Sequence, residues 1–112
     1  MTETKNYCFA CDLKDDPELI KEYQVQHQKV WPEIIESIKD SGILSMKIYL
    51  VHNRLFMITE VSENFSLERK KTMDLNNAKV QEWEKLMWKY QQALPKANPN
   101  DKWLLMDCIF KI

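Results

Sequence analysis

Glycine is almost missing from this chain. Gly42 is the single glycine in 112 residues, so neither a G-x-G-x-x-G dinucleotide fingerprint nor a P-loop can be written, and the usual nucleotide-binding routes are excluded. Long apolar runs are missing too: every one is short and broken by charge, far from a membrane span. Positive charge is not in excess, since 16 Lys and Arg stand against 17 Asp and Glu for a net charge of −1. A nucleic-acid groove needs a concentrated Lys/Arg field, so neither nucleic acid nor membrane is expected as a partner. Of the three cysteines, Cys8 and Cys11 have C-x-x-C spacing. On a strand, however, residues three apart point to opposite faces, and no second Cys/His pair completes a tetrahedral site. They read as packing residues, and no metal or cofactor is expected. The opening stretch, Met1 to Asn6, is polar and carries no signal-peptide core. With an odd cysteine count it points to free thiols and a cytoplasmic protein.

What is present is a globular balance: 45% hydrophobic and 29% charged residues. The length fits one domain over residues 1–112. Lys5 to Leu13 reads as a strand. Asp16-Pro17 opens a helix, with Asp as N-cap and Pro in the first turn. The apolar stripe Leu19/Ile20, Tyr23, His27, Val30/Trp31, Ile34/Ile35 and Ile38 then marks one helical face. Pro32 kinks that helix or splits it, because it lacks the N–H its turn needs, and Gly42 is the natural C-cap. Ile43 to Leu50 and Arg54 to Val61 form an antiparallel hairpin around Val51-His52-Asn53. A short helix is expected over Asn64 to Met73, a longer one from about Asn77 to Ala93, and a closing strand from Lys102 to Ile112. The order β-α-β-β-α-β is the ferredoxin-like α+β arrangement, a four-stranded antiparallel sheet with helices on one face. The other face stays bare and largely apolar, which a homodimer stacking sheet on sheet covers most simply.

His27 is the leading candidate for chemistry. Tyr23 lies four residues before it and Trp31 four after, on one side of a helix. Histidine titrates near neutral pH and both gives and takes protons. Tyrosine adds a hydroxyl, and tryptophan a flat plate suited to the C–H face of a sugar. The competing reading, a satisfied histidine on an apolar stripe, is strong on spacing alone. His52 reads as a solvated turn residue. Trp83, Trp88, Tyr90 and Trp103 read as core aromatics or as plates of a carbohydrate pocket. Glu82, Glu84 and Lys85 read as a solvated helix face.

The string Tyr23-Gln-Val-Gln-His27-Gln-Lys-Val-Trp31-Pro32-Glu33 resembles the signature of the L-rhamnose mutarotase family. Further matches follow at Ile48-Tyr49-Leu50, Val80-Gln81-Glu82-Trp83, Ala97-Asn98-Pro99 and Ile109-Phe110, so the likeness spans nearly the whole chain. The resemblance implies a dimeric α+β barrel of ferredoxin-like units, no cofactor, and exchange between the α and β anomers of L-rhamnose. It implies His27 as general acid, Tyr23 as a substrate contact, and Trp83 as the first of a tandem tryptophan pair lining the sugar site. Trp88 fills that role under a shifted alignment. Two positions depart from the pattern: Glu84 stands where a second Trp is often found, and Met46 where a substrate-facing Tyr often stands. Both belong to the pocket wall and leave L-fucose as a competing sugar. In the expected mechanism, protonated His27 donates to the ring oxygen. The second proton carrier stays open between the Tyr23 hydroxyl and a water held by Asp107 or Asp12. Trp83 and Trp31 would hold the sugar's apolar face and its methyl group. The alternatives are a cofactor-free dimeric α+β-barrel monooxygenase and a non-catalytic sugar-binding module.

Overall fold

The computed structural model describes residues 4–112. Met1–Glu3, part of the polar opening read above, lie outside the described residues. Strand β1 (Thr4–Leu13) leads into helix α1 (Pro17–Gln26), where the Asp16 carboxylate accepts from the backbone N–H groups of Glu18 and Leu19, as a good N-cap should. Helix α2 (Pro32–Asp40) is a separate element. Pro32 splits the periodic stretch rather than bending it. Trp31 before it takes the extended backbone (φ −56°, ψ 136°) that a following proline imposes, and Pro32 then sits in the first turn of a new helix. Gly42 ends α2 at φ +99°, a left-handed conformation that a side chain resists. A Cβ there would also meet Ser62 Oγ at 3.0 Å.

Strands β2 (Ile43–Val51) and β3 (Arg54–Ser62) form the expected hairpin around His52 and Asn53. His52 is exposed, with φ 54°, a region that histidine enters more readily than most side chains. Helices α3 (Leu67–Leu75) and α4 (Ala78–Met87) follow, capped by the side chains of Ser66 and Asn77. The chain closes with two short strands, β4 (Gln91–Gln92) and β5 (Leu104–Leu105). The antiparallel path is β2-β3-β1-β4, with β5 also paired to β1. This is the ferredoxin-like order, with the closing edge divided between two short strands.

Two expected elements come out shorter. The long helix stops at Met87 because the next residues have other partners: Tyr90 is buried beside Tyr23, and Gln91 pairs with Leu13. The apolar spacing that ran on to Tyr90 is therefore only a coincidence of period. The last strand covers Leu104–Leu105, opposite Ala10 and Phe9, with one further bond from the Met106 N–H to the Cys8 carbonyl. Gln91 and Gln92 already hold the far end of the β1 edge, at Leu13 and Asp12. Residues 107–112 have no regular structure and leave Ile109, Phe110 and Ile112 exposed.

Alternation along the strands sends Phe9, Cys11, Leu13, Leu55 and Met57 toward the helices and Cys8, Ala10, Phe56 and Ile58 to the outer face. The C-x-x-C pair is thus divided between the two faces, with Cys11 fully buried and Cys8 half-buried. The core lies between sheet and helices. Leu13, Leu55, Tyr23, Ile34, Val80, Trp83, Met87 and Tyr90 form one cluster, in which each fully buried large aliphatic side chain contributes about 1.5–3 kcal/mol.

Candidate active site

The sheet and helices do not close completely. A cleft of about 690 Å³ opens between them, within the ~300–1,000 Å³ range of small-molecule sites. Its floor is the inner face of the sheet, including Phe9, Met46, Ile48, Met57 and Thr59. One wall comes from the α1 end with Tyr23 and His27, the other from α4 and its sequel with Trp83, Glu84, Trp88, Lys102 and Trp103. The cleft therefore gathers Tyr23 and His27 from α1 and its cap, Met46 from β2, and Trp83 and Trp88 from α4 and its cap.

His27 is the cap of α1 and not part of a continuing helix. Its backbone N–H still reaches the Tyr23 carbonyl at 3.2 Å, so the last turn keeps the i, i+4 relation. The imidazole Nδ1 lies 2.9 Å from the same carbonyl oxygen. A carbonyl only accepts, so Nδ1 carries the hydrogen and donates it; in the neutral ring, Nε2 is then left as the acceptor. Burial lowers the pKa of His27 below its ordinary 6.5, against a smaller upward pull from the Tyr23 carbonyl. The ring is sandwiched between aromatic neighbours. Tyr23 is tilted beside it with centroids 4.2 Å apart, and Trp83 meets it edge-on at 5.6 Å.

Tyr23 is buried, and its hydroxyl accepts from Gln91 Nε2 at 3.2 Å. Burial pushes its pKa well up, so the hydroxyl keeps its proton and acts as a donor, not a base. The Oε1 of Gln91 is buried with no partner among the described residues. On the α4 wall, Lys102 Nζ lies 2.6 Å from Glu84 Oε2 and 4.7 Å from the centre of the Trp88 ring.

Several positions differ from the expectations. Trp31 does not line the cleft. The helix break at Pro32 turns it behind Trp83, where the two indoles pack edge-on at 5.1 Å. Asp12 faces the outer side of the sheet and is occupied by Arg54, at 2.8 and 3.2 Å. Asp107 lies in the exposed terminal stretch. Neither aspartate lines the cleft. Glu84 is not a fully solvated helix residue but half of the buried-lysine ion pair. Gln91 and Lys102 were not singled out by sequence reasoning: Gln91 falls on a false continuation of the helix, and Lys102 lies in a loop placed only by long-range pairing. No group of three or more potential metal-ligating side chains converges among the described residues.

Fold and cleft together define a class: a small α+β protein with a cleft of small-molecule size lined by an imidazole, indole plates and an ion pair. Comparison with known proteins narrows it. The family model described as L-rhamnose mutarotase matches residues 6–112. An L-fucose mutarotase from Xanthomonas campestris pv. campestris is 36% identical over 107 residues, covering 94% of this chain and 86% of its own. An L-rhamnose mutarotase from Shigella flexneri is 30% identical over 91 residues, 80% of each chain. A crystal structure of an L-rhamnose mutarotase from Formosa agariphila superposes with a TM-score of 0.71 over 96% of this chain and 98% of that one, at 23% identity, and so shares the fold. The chain belongs to the L-rhamnose mutarotase family, whose enzymes are isomerases that interconvert sugar anomers. The monooxygenase and binding-module alternatives are not favoured by these relatives.

Proposed function

We propose that the chain interconverts the α and β anomers of a 6-deoxy-L-hexose, L-rhamnose or L-fucose, with His27 as the proton carrier. The observation that carries this reading is the imidazole itself: Nδ1 is tied to the Tyr23 carbonyl, and the ring lies on the wall of a cleft of small-molecule size. A neutral ring with its acceptor at Nε2 begins as a base. It takes the proton of the anomeric hydroxyl while the bond from the anomeric carbon to the ring oxygen breaks and a carbonyl forms. The imidazolium then returns that proton to the ring oxygen, which becomes the free hydroxyl of the open chain. Rotation about the bond next to the aldehyde and the reverse transfers close the ring on the other face. One proton leaves and one returns, so a single nitrogen near two oxygens on the same carbon suffices. The order differs from the expectation of a protonated His27: the lowered pKa and the bond at Nδ1 favour the base as the resting form.

Tyr23 offers its hydroxyl as a donor to a sugar oxygen, and Trp83, Trp88 and Met46 bound the apolar faces and the methyl group. A positioned proton transfer supplies about 10²–10⁴-fold, enough for a reaction that already proceeds in water. Proton NMR exchange spectroscopy on L-rhamnose and L-fucose tests the proposal. The intact protein should accelerate anomer exchange and His27→Ala should abolish most of the gain; equal exchange with both proteins would overturn it.

The functional unit in this reading is one domain working as a homodimer in the cytoplasm. Support for the dimer comes from the outer sheet face, where Cys8, Ala10, Phe56 and Ile58 are half-buried and Tyr49 and Val51 exposed on a side with no helix over it. Three free thiols suit a reducing compartment, and no helix among the described residues is long and apolar enough to cross a membrane. Sedimentation equilibrium should return twice the chain mass, and Phe56→Lys should return the single-chain value. A monomer in the unmodified protein would sink the dimer.

A further inference from the structure

Lys102 is an unusual group to find in a cleft wall. Its side chain is 9% exposed, although it comes from the irregular stretch between Pro99 and β5. A charge so deeply placed is costly unless it is paired. The pairing is with one oxygen of Glu84, at 2.6 Å, while the Trp88 ring stands 4.7 Å from the ammonium. An ammonium has three hydrogens and a carboxylate two oxygens. The one bond between them uses one hydrogen and one oxygen, and no other hydrogen bond to Lys102 Nζ or to either Glu84 oxygen occurs among the described residues. Both residues line the cleft, and the glutamate is 42% exposed. A spare donor and a spare acceptor are thus held side by side, next to an indole, on the α4 wall of the cleft.

That arrangement matches one chemical group. A hydroxyl both donates and accepts, and a neighbouring donor and acceptor of fixed geometry engage both capacities together. The pair is internally neutral, so it offers no general attraction for an anion. The indole beside it supplies a plate for C–H bonds, which flank every hydroxyl of a pyranose. A structural role alone, pinning the segment before β5 to α4, would be met as well by two apolar side chains. Replacing a buried ion pair with packed apolar residues is often neutral or stabilising. A charged pair at the cleft surface therefore points to recognition.

We infer that Glu84 and Lys102 are specificity-determining residues of the site, reading the configuration of one ring hydroxyl. The inference rests on the mutarotase reading above and deepens it. L-Rhamnose and L-fucose share the C6 methyl group and differ in configuration at C2 and C4, so a fixed reader on one wall engages one sugar and misses the other. Loss of a hydrogen bond to a charged partner corresponds to about 10–100-fold in affinity.

The test is the double variant Glu84→Met/Lys102→Met, with Glu84→Gln as the milder change that keeps the side-chain shape. Affinity for each sugar is measured by NMR titration, anomer exchange by exchange spectroscopy, and folding by thermal denaturation. The expected result is a folded double variant whose affinity for the preferred sugar falls about 10–100-fold, mostly in KM, so that the ratio between the two sugars moves toward one. Glu84→Gln should move that ratio in the same direction by less. A ratio unchanged in either folded variant overturns the assignment and leaves the pair a structural clasp. Should the double variant fail to fold, Glu84→Gln decides alone by the same ratio. If the unmodified protein binds the sugars but accelerates neither exchange, the mutarotase reading falls while the affinity ratio still judges the pair.

Discussion

The two walls of the cleft are built on opposite principles. The α1 wall presents an imidazole kept neutral by burial, held by a backbone carbonyl four residues earlier, and flanked by a tyrosine that does not ionise. The α4 wall presents a full charge pair and an exposed indole, assembled from residues 18 positions apart. A neutral ring changes its protonation easily, whereas a paired charge does not. In the proposed reading the first wall moves the proton, and the second stays fixed while a ligand is measured against it. The difference also shows how each is made. The α1 wall is local, one helical turn; the α4 wall requires the chain after Pro99 to return beside the helix.

The sharpest way to break this division is at His27. His27→Ala should lower anomer exchange by about 10²–10⁴-fold with sugar affinity nearly unchanged, measured by exchange spectroscopy and NMR titration. An affinity loss equal to the rate loss would mean that the α1 wall recognises rather than reacts. Trp83 joins the walls, touching both His27 and Trp31, and is buried. Trp83→Ala should cost about 3–5 kcal/mol of stability, read as a lowered midpoint in urea. Trp88 is far more exposed, and Trp88→Ala should leave stability within about 1 kcal/mol while sugar affinity drops.

Tyr23→Phe removes the partner of Gln91 Nε2 and leaves that buried amide wholly unsatisfied, which costs about 1–3 kcal/mol. A value near zero in a denaturation series would show that water replaces the hydroxyl. The smallest effect is in pH. His27 binds its proton less readily folded than unfolded, so its contribution to stability is fully present above pH 6.5 and is lost as pH falls through the depressed native value. Activity that begins with the neutral ring should follow the same direction, flat at neutral pH and falling on the acid side with a midpoint below 6.5. A rate that rises on acidification would make the protonated form the starting acid.

Much of the fold was legible because its signals are local. Asp16-Pro17, Pro32 and Gly42 act on the backbone at their own positions, and each stands where the spacing placed it. The Tyr23–His27 relation was equally legible, since it needs only one turn of helix. The end of α4 was not: Val80, Trp83, Met87 and Tyr90 keep helical spacing although the helix stops at Met87, because Tyr90 is claimed by Tyr23 and Gln91 by β1. Trp31 was placed on the right face of a helix that the next residue interrupts.

Residue types and their short-range order were enough to specify the elements, the ferredoxin-like sequence of strands and helices, and the turn that presents the imidazole. Backbone preferences and hydrophobic period act over a few residues and need no distant partner. Tertiary structure alone decided that Glu84 would meet Lys102, that Asp12 would spend its charge on Arg54 outside the cleft, and that Trp31 would support a wall without forming one. Those outcomes depend on which charged or aromatic groups are brought together when the sheet closes, and in this chain they decide which groups line the cleft.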